Sequence, residues 1–261
     1  MRRVIWLTVL VIACSASAVQ ARHAATNAPA DIGYAGQTEQ GLPGFVKLLP
    51  GGKVTAALAY STFCSAGDGS IVWSGVARTT VRGGGFHYER KEDAKGPAIT
   101  LDGRLTKTGA SGTWHVHYSL RNKLGTVTDT CDSETVSWSF PRDGAGGQSS
   151  QGFPVALRLS TKTVKTMQFV TRVKCKSGDE YVIPTFYDNF PLSRKGSFAR
   201  AFSDTGVPSS GRHTKLNIQV SGRTGRGVLH GSWHMSAVFT DKDGNQLDSC
   251  DSGPLTWSVI P

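Results

Sequence analysis

No window of twelve residues in this chain carries apolar side chains at the 3.6-residue period of a helix, so helical bundles and α/β architectures are not expected. Methionine is scarce, at three. The only sustained apolar run is the ten residues Val4–Ala13, half of the roughly twenty that a membrane-spanning helix needs. Sequence signatures of catalysis are missing too: there is no Gly-x-Ser-x-Gly, no His-Glu-x-x-His and no phosphate-binding glycine loop. The close Cys-x-x-Cys spacing of redox enzymes is absent. Although the formal charge is +10, no nucleic-acid-binding module or aromatic-interleaved signature accompanies it. Nucleic acid is therefore not an expected partner, and no cofactor is expected.

What the chain does contain is one stretch written twice. Thr113-Trp114-His115, Asp129-Thr130-Cys131-Asp132-Ser133 and Trp138-Ser139 return as Ser232-Trp233-His234, Asp248-Ser249-Cys250-Asp251-Ser252 and Trp257-Ser258. Seventeen positions separate Trp from Cys in both, and seven separate that Cys from the next Trp. A match of this kind indicates internal duplication. The copies open with Gly36-Gln37-Thr38-Glu39-Gln40-Gly41 and Gly147-Gln148-Ser149-Ser150-Gln151-Gly152, 111 positions apart. From Ile99 and Ile218 onward the offset is 119, which places eight extra residues near Ser203–Ser210, a loop by composition.

The organisation read from this is a signal segment (1–21), a flexible tether (22–32), a first β-domain (33–143) and a second (144–261), with Arg142–Gly146 as a short linker. Arg2 and Arg3 precede the apolar run, and small residues follow it with cleavage sites after Ala18 or Ala21. Val11-Ile12-Ala13-Cys14 also loosely resembles the lipobox of bacterial lipoproteins, which offers anchoring through Cys14 as the alternative. Either way the expected location is outside the cytoplasm, secreted or at the cell surface.

Comparing the copies gives each strand two readings. Val46 and Leu48 match Leu157 and Leu159 around Lys47 and Arg158, an alternation of period two. Ala56, Leu58, Tyr60, Thr62 and Cys64 match Met167, Phe169, Thr171, Val173 and Cys175, so each Cys ends a strand on its buried face. Short strands at roughly ten-residue spacing with glycine-rich turns imply an all-β protein: two tandem antiparallel β-sandwiches, or alternatively β-barrels, of about eight strands each. Four cysteines outside the export segment permit three pairings. Duplication of a self-contained unit favours Cys64–Cys131 and Cys175–Cys250.

Candidate functional residues lie on the outward faces. His115 and His117 alternate with the inward Trp114 and Val116, and His230 and His234 share a face in the second copy. His-x-His is a spacing that some zinc sites use, but no third ligand is evident in sequence. Arg104 with Lys107, and Arg223 with Arg226, repeat a basic pair at strand ends. Asp129, Asp132, Asp248 and Asp251 read as caps of turns beside the disulfides. Asp241-Lys242-Asp243-Gly244-Asn245 reads as a hairpin turn rather than a calcium loop, because its glycine and closing acid are misplaced.

Residues 33–143 carry 12 Lys+Arg against 10 Asp+Glu, a net +2, and residues 144–261 carry 14 against 8, a net +6. The expectation from sequence is an exported, non-catalytic pair of β-modules that binds at or beyond the cell envelope. An anionic envelope polymer is the partner that the charge of the second copy suggests. The alternative is a secreted hydrolase whose site is assembled from dispersed residues.

Overall fold

In a computed structural model, the residues described are 32–65, 70–93, 96–206, 213–225 and 227–260. The expected export segment with Cys14, and Arg226 of the candidate basic pair, lie outside them. The described residues are all-β: seventeen strands, one 3-10 turn at Pro50–Gly52 and no α-helix. Eight strands form the first sheet: β1 (Ile32–Gln37), β2 (Pro43–Leu49), β3 (Lys53–Cys64), β4 (Ser70–Thr80), β5 (Gly85–Arg90), β6 (Ala98–Leu105), β7 (Gly109–Arg121) and β8 (Val127–Pro141). Nine form the second: β9 (Gly144–Ser149), β10 (Pro154–Leu159), β11 (Thr163–Cys175), β12 (Glu180–Pro191), β13 (Ser197–Gly206), β14 (His213–Gly225), β15 (Val228–Thr240), β16 (Gln246–Asp251) and β17 (Leu255–Ile260).

The second sheet closes on itself. β9 pairs with β10 and β17, β15 with β17 and β16, and β16 with β11, so six strands make a barrel. In the first sheet the fifteen-residue β8 spans the positions of both β16 and β17. Its register to β7 shifts between His115 and His117, and β1 returns to it through the isolated bridge Thr38↔Trp138. Cys64 pairs in register with Cys131, and Cys175 with Cys250, and both pairs are disulfides. Each bond ties β3 to β8, or β11 to β16, where few backbone bonds hold them. For chain separations of 67 and 75 residues the chain-entropy model gives each bond about 4 kcal/mol.

Each sheet encloses its own core. Trp114, Leu101, Phe140 and Leu58 fill the first, and Trp233, Phe169, Met167 and Leu157 the second. One row explains the repeated glycines. Phe86, Gly103, Gly112 and Trp138 lie side by side across β5–β8, and Phe198, Gly222, Gly231 and Trp257 across β13–β17. In each row the two aromatic rings reach over the glycines and stack at 6.2 and 6.1 Å. A Cβ on Gly112 would lie 1.9 Å from the Asp102 carbonyl oxygen and 2.7 Å from the Trp138 ring, so no larger residue fits.

The halves are packed together through the outward faces of β1–β3 and β9–β11. Ala35, Phe45 and Ala57 bury against Ala156, and Leu42 and Ala59 against Phe153 and Val170. The repeated Gly-Gln-x-x-Gln-Gly motif serves this contact. Gln40 accepts from Ser61 N–H at 2.8 Å and Gln151 from Arg172 N–H at 2.8 Å, which pins the turns that carry Leu42 and Phe153. Three details differ from the sequence reading. Ile32, assigned to the tether, begins β1, and Gly144–Gly146, assigned to the linker, begins β9. Ser203–Gly206, assigned to a loop, extends β13 in register with Thr214–Asn217.

Candidate functional site

Residues paired across neighbouring strands point to the same face, so the register fixes what each outward face presents. On β5–β8 one row is Gly85, Arg104, Ser111 and Ser139, and the next is His87, Asp102, Thr113 and Ser137. Beyond them come Glu89, Thr100, His115 and Thr135, then Ala98, His117 and Asp132. The second sheet offers Ser197, Arg223, His230 and Ser258, then Ala199, Ser221, Ser232 and Thr256, then Ala201, Gln219 and His234. A fourth row holds Ser203, Asn217, Ser236 and Asp251, and continues through Lys174 to Glu180, which lie 3.3 Å apart as an ion pair. Both faces are hydroxyl-rich and hollow. An open cleft of about 870 Å³ lies on the first, and one of about 450 Å³ on the second.

The candidate histidines are outward, as expected, but they have partners that sequence spacing did not reveal. His115 Nε2 lies 3.0 Å from both Asp132 carboxylate oxygens, and His117 Nδ1 lies 3.1 Å from Asp132 Oδ2. His234 Nε2 lies 2.8 Å from Asp251 Oδ2, and Ser236 stands where His117 would. Arg223 Nε donates to His230 Nε2 at 2.8 Å. Arg104 and Arg223 sit inside paired strands rather than in loops, while Lys107 is exposed in the β6–β7 turn. The structure therefore joins Arg223 to His230 and His115 to His117, and leaves Arg104 separate from both histidines.

Asp132 and Asp251 also perform the capping expected of them. Asp132 Oδ1 accepts the Glu134 N–H, and Asp251 Oδ1 the Gly253 N–H, both at 2.6 Å. The next residue completes the bend: Val116 N–H donates to Ser133 Oγ at 2.8 Å and Met235 N–H to Ser252 Oγ at 3.0 Å. Burial pushes the Asp132 carboxyl up, but the Glu134 amide and the His115 and His117 imidazoles outweigh it and hold it below the usual carboxylate range. The same balance, with Gly253 and His234, lowers Asp251. Asp129 and Asp248 lie among the cysteine sulfurs, yet those sulfurs are oxidised to disulfides and offer no thiolate to a metal. Asp129 instead accepts from Ser65 Oγ at 2.5 Å, and Asp248 from Ser177 Oγ at 2.6 Å. Asp241 accepts the Asp243 and Asn245 amides at 2.9 and 2.8 Å, as a hairpin turn requires.

One arrangement resembles part of an acid–base relay, and the sequence reading missed it. His87 Nδ1 lies 2.8 Å from Asp102 Oδ1 on the wall of the larger cleft. Its Nε2 lies 4.0 Å from Glu89 Oε2, and among the described residues no hydroxyl is hydrogen-bonded to it. The pair has the orienting carboxylate of a relay but, among the described residues, no hydrogen-bonded nucleophile. Cross-strand register would have found the pair, because His87 and Asp102 are directly opposed. No family model, curated protein or solved structure matches the chain. Among the described residues no helix is long and apolar enough to cross a membrane.

Proposed function

We propose that this chain is an exported, non-catalytic protein whose two β-modules arose by tandem duplication and bind an anionic polymer at or beyond the cell envelope. A disulfide in each half fits a protein that works in an oxidising compartment. The observation that carries the reading is the outward face of β13–β17. In its four rows Arg223 is unopposed by acid and adjoins His230, while both carboxylates are engaged, Asp251 by His234 and Glu180 by Lys174. Lys215 extends the positive charge at its border. Hydroxyl and amide side chains fill the remainder and suit the hydroxyls of a polysaccharide or polyol chain. Packing the halves into one body holds both faces at a fixed spacing, which favours long ligands through avidity.

Retention of residues 22–261 on isolated cell envelopes and on a plain anionic resin, at rising salt, tests this. Electrostatic attraction weakens as the Debye length falls from about 10 Å at 0.1 M to about 3 Å at 1 M. The proposal expects envelopes to hold the protein at salt that already releases it from the resin, and R223A to lose that margin. Release from both supports at the same salt would reduce the interaction to non-specific charge.

A further inference from the structure

The larger cleft is built differently from its counterpart. Arg82, in the turn before β5, forms an isolated bridge with Gly85, and Gly85 pairs on its other side with Arg104. Two arginines therefore flank a residue with no side chain, and both line the cleft. Neither guanidinium is held by a carboxylate among the described residues. The acid on the adjoining row, Asp102, is drawn aside by His87 Nδ1 at 2.8 Å. In the second half Arg223 is already donating to His230, and Ala199 and Ser221 occupy the positions that His87 and Asp102 hold in the first. The second half is thus an internal control that lacks these features.

We infer that the cleft between Arg82 and Arg104 takes a phosphate group carried on a polyol or sugar. Each guanidinium presents a planar fork of N–H donors that matches the oxygens of an oxyanion. Two such cations facing one gap suit a phosphate monoester, which offers three terminal oxygens and up to two negative charges, better than a two-oxygen, singly charged carboxylate or phosphodiester. The row of His87, Asp102 and Thr113 lies two residues further along the strands, roughly 7 Å away. One sugar ring or glyceryl unit spans that distance, and its hydroxyls meet an imidazole, a carboxylate and a threonine hydroxyl, which between them donate and accept. The inference rests on the binding reading above, but it locates a discrete site in the half of lower net charge.

The test is a titration of residues 22–261 with glycerol 1-phosphate, followed by amide NMR shifts, with glycerol and inorganic sulfate as comparison ligands. The expected result is affinity for glycerol 1-phosphate at least tenfold above either comparison. R82A and R104A should each lose tenfold or more, and R223A should stay within twofold of the parent. R82K/R104K, which keeps the charge and loses the fork, should weaken binding several-fold with an unchanged near-UV spectrum. Wild-type affinity in R82A and R104A, or equal affinity for glycerol or sulfate, would overturn the inference. Envelope retention without glycerol 1-phosphate binding removes the cleft site and leaves the polymer reading standing; the reverse pattern removes the polymer reading and leaves the cleft. Loss of envelope retention in R82A and R104A would identify the phosphate as polymer-borne, and retention in those variants would identify it as a free ligand of the same site.

Discussion

Gly146 and Phe45 meet with no room for a side chain between them: a Cβ on Gly146 would stand 2.2 Å from the Phe45 Cβ. The contact joins β9 of the second half to β2 of the first. Gly146→Ala should therefore strain the junction and destabilise the protein by about 1–3 kcal/mol, the usual cost of overpacking. Urea unfolding measures it. A change under about 0.5 kcal/mol would mean that the halves slide apart freely and that the junction is not a fixed contact.

Glu134 has a φ of 55°, in the left-handed region, where the second half has Gly253 at 65°. Side chains other than glycine pay roughly 1–2 kcal/mol there, offset in part by the chain entropy that glycine loses on folding. Glu134→Gly is expected to raise stability by about 0.5–1 kcal/mol, read from the shift in the denaturation midpoint. A loss of stability would show that the Glu134 side chain contributes more than its backbone costs.

Much of the fold was open to reading from sequence, because two matching stretches of the chain showed the alternation twice. Trp114, Leu58 and Phe169 are buried where period two put them, and the cysteines pair within each half. Strands β1 and β9 were not legible. Their sequences, IGYAGQ and GAGGQS, are rich in glycine and carry no apolar alternation, so Ile32 was assigned to the tether and Gly144–Gly146 to the linker. That glycine content reflects the close crossing of the two halves rather than flexibility. The outward positions Ala57, Ala59 and Val170 are apolar because they face the junction rather than solvent. At the candidate site the sequence supplied His115, His117 and Arg223 but not their partners. Asp132 lies seventeen residues from His115, and only the bulged register of β7 on β8 brings it alongside.

Trp114→Ala should cost about 3–5 kcal/mol, since Trp114 is wholly buried in the first core and its truncation leaves a large cavity. Thermal or urea unfolding reads the loss. A value below about 1 kcal/mol would be incompatible with the core position of this ring.

Acid should weaken the protein through its bends. Asp132 and Asp251 lie below their ordinary 3.8 in the folded chain. A depressed carboxyl contributes stability that is present above its unfolded pKa and is lost as pH falls through the folded value. Both carboxylates are substantially exposed, so solvent screening keeps each contribution below about 1 kcal/mol. The D132N/D251N variant is expected to be less stable than the parent at pH 7 and to lose less on acidification below about pH 4. Parallel melting-temperature profiles for the two proteins would remove these carboxylates from the account.

Amide hydrogen exchange of residues 22–261, with and without a bound anionic envelope polymer, tests the central claim most directly. The account predicts slowed exchange at 85–90, 98–105 and 109–121 and at 197–206, 213–225 and 228–240, the strands whose outward faces carry Arg104, His115, Arg223 and His234. Protection confined to 32–64 or 144–175, or no protection at a polymer concentration that saturates retention, would contradict it.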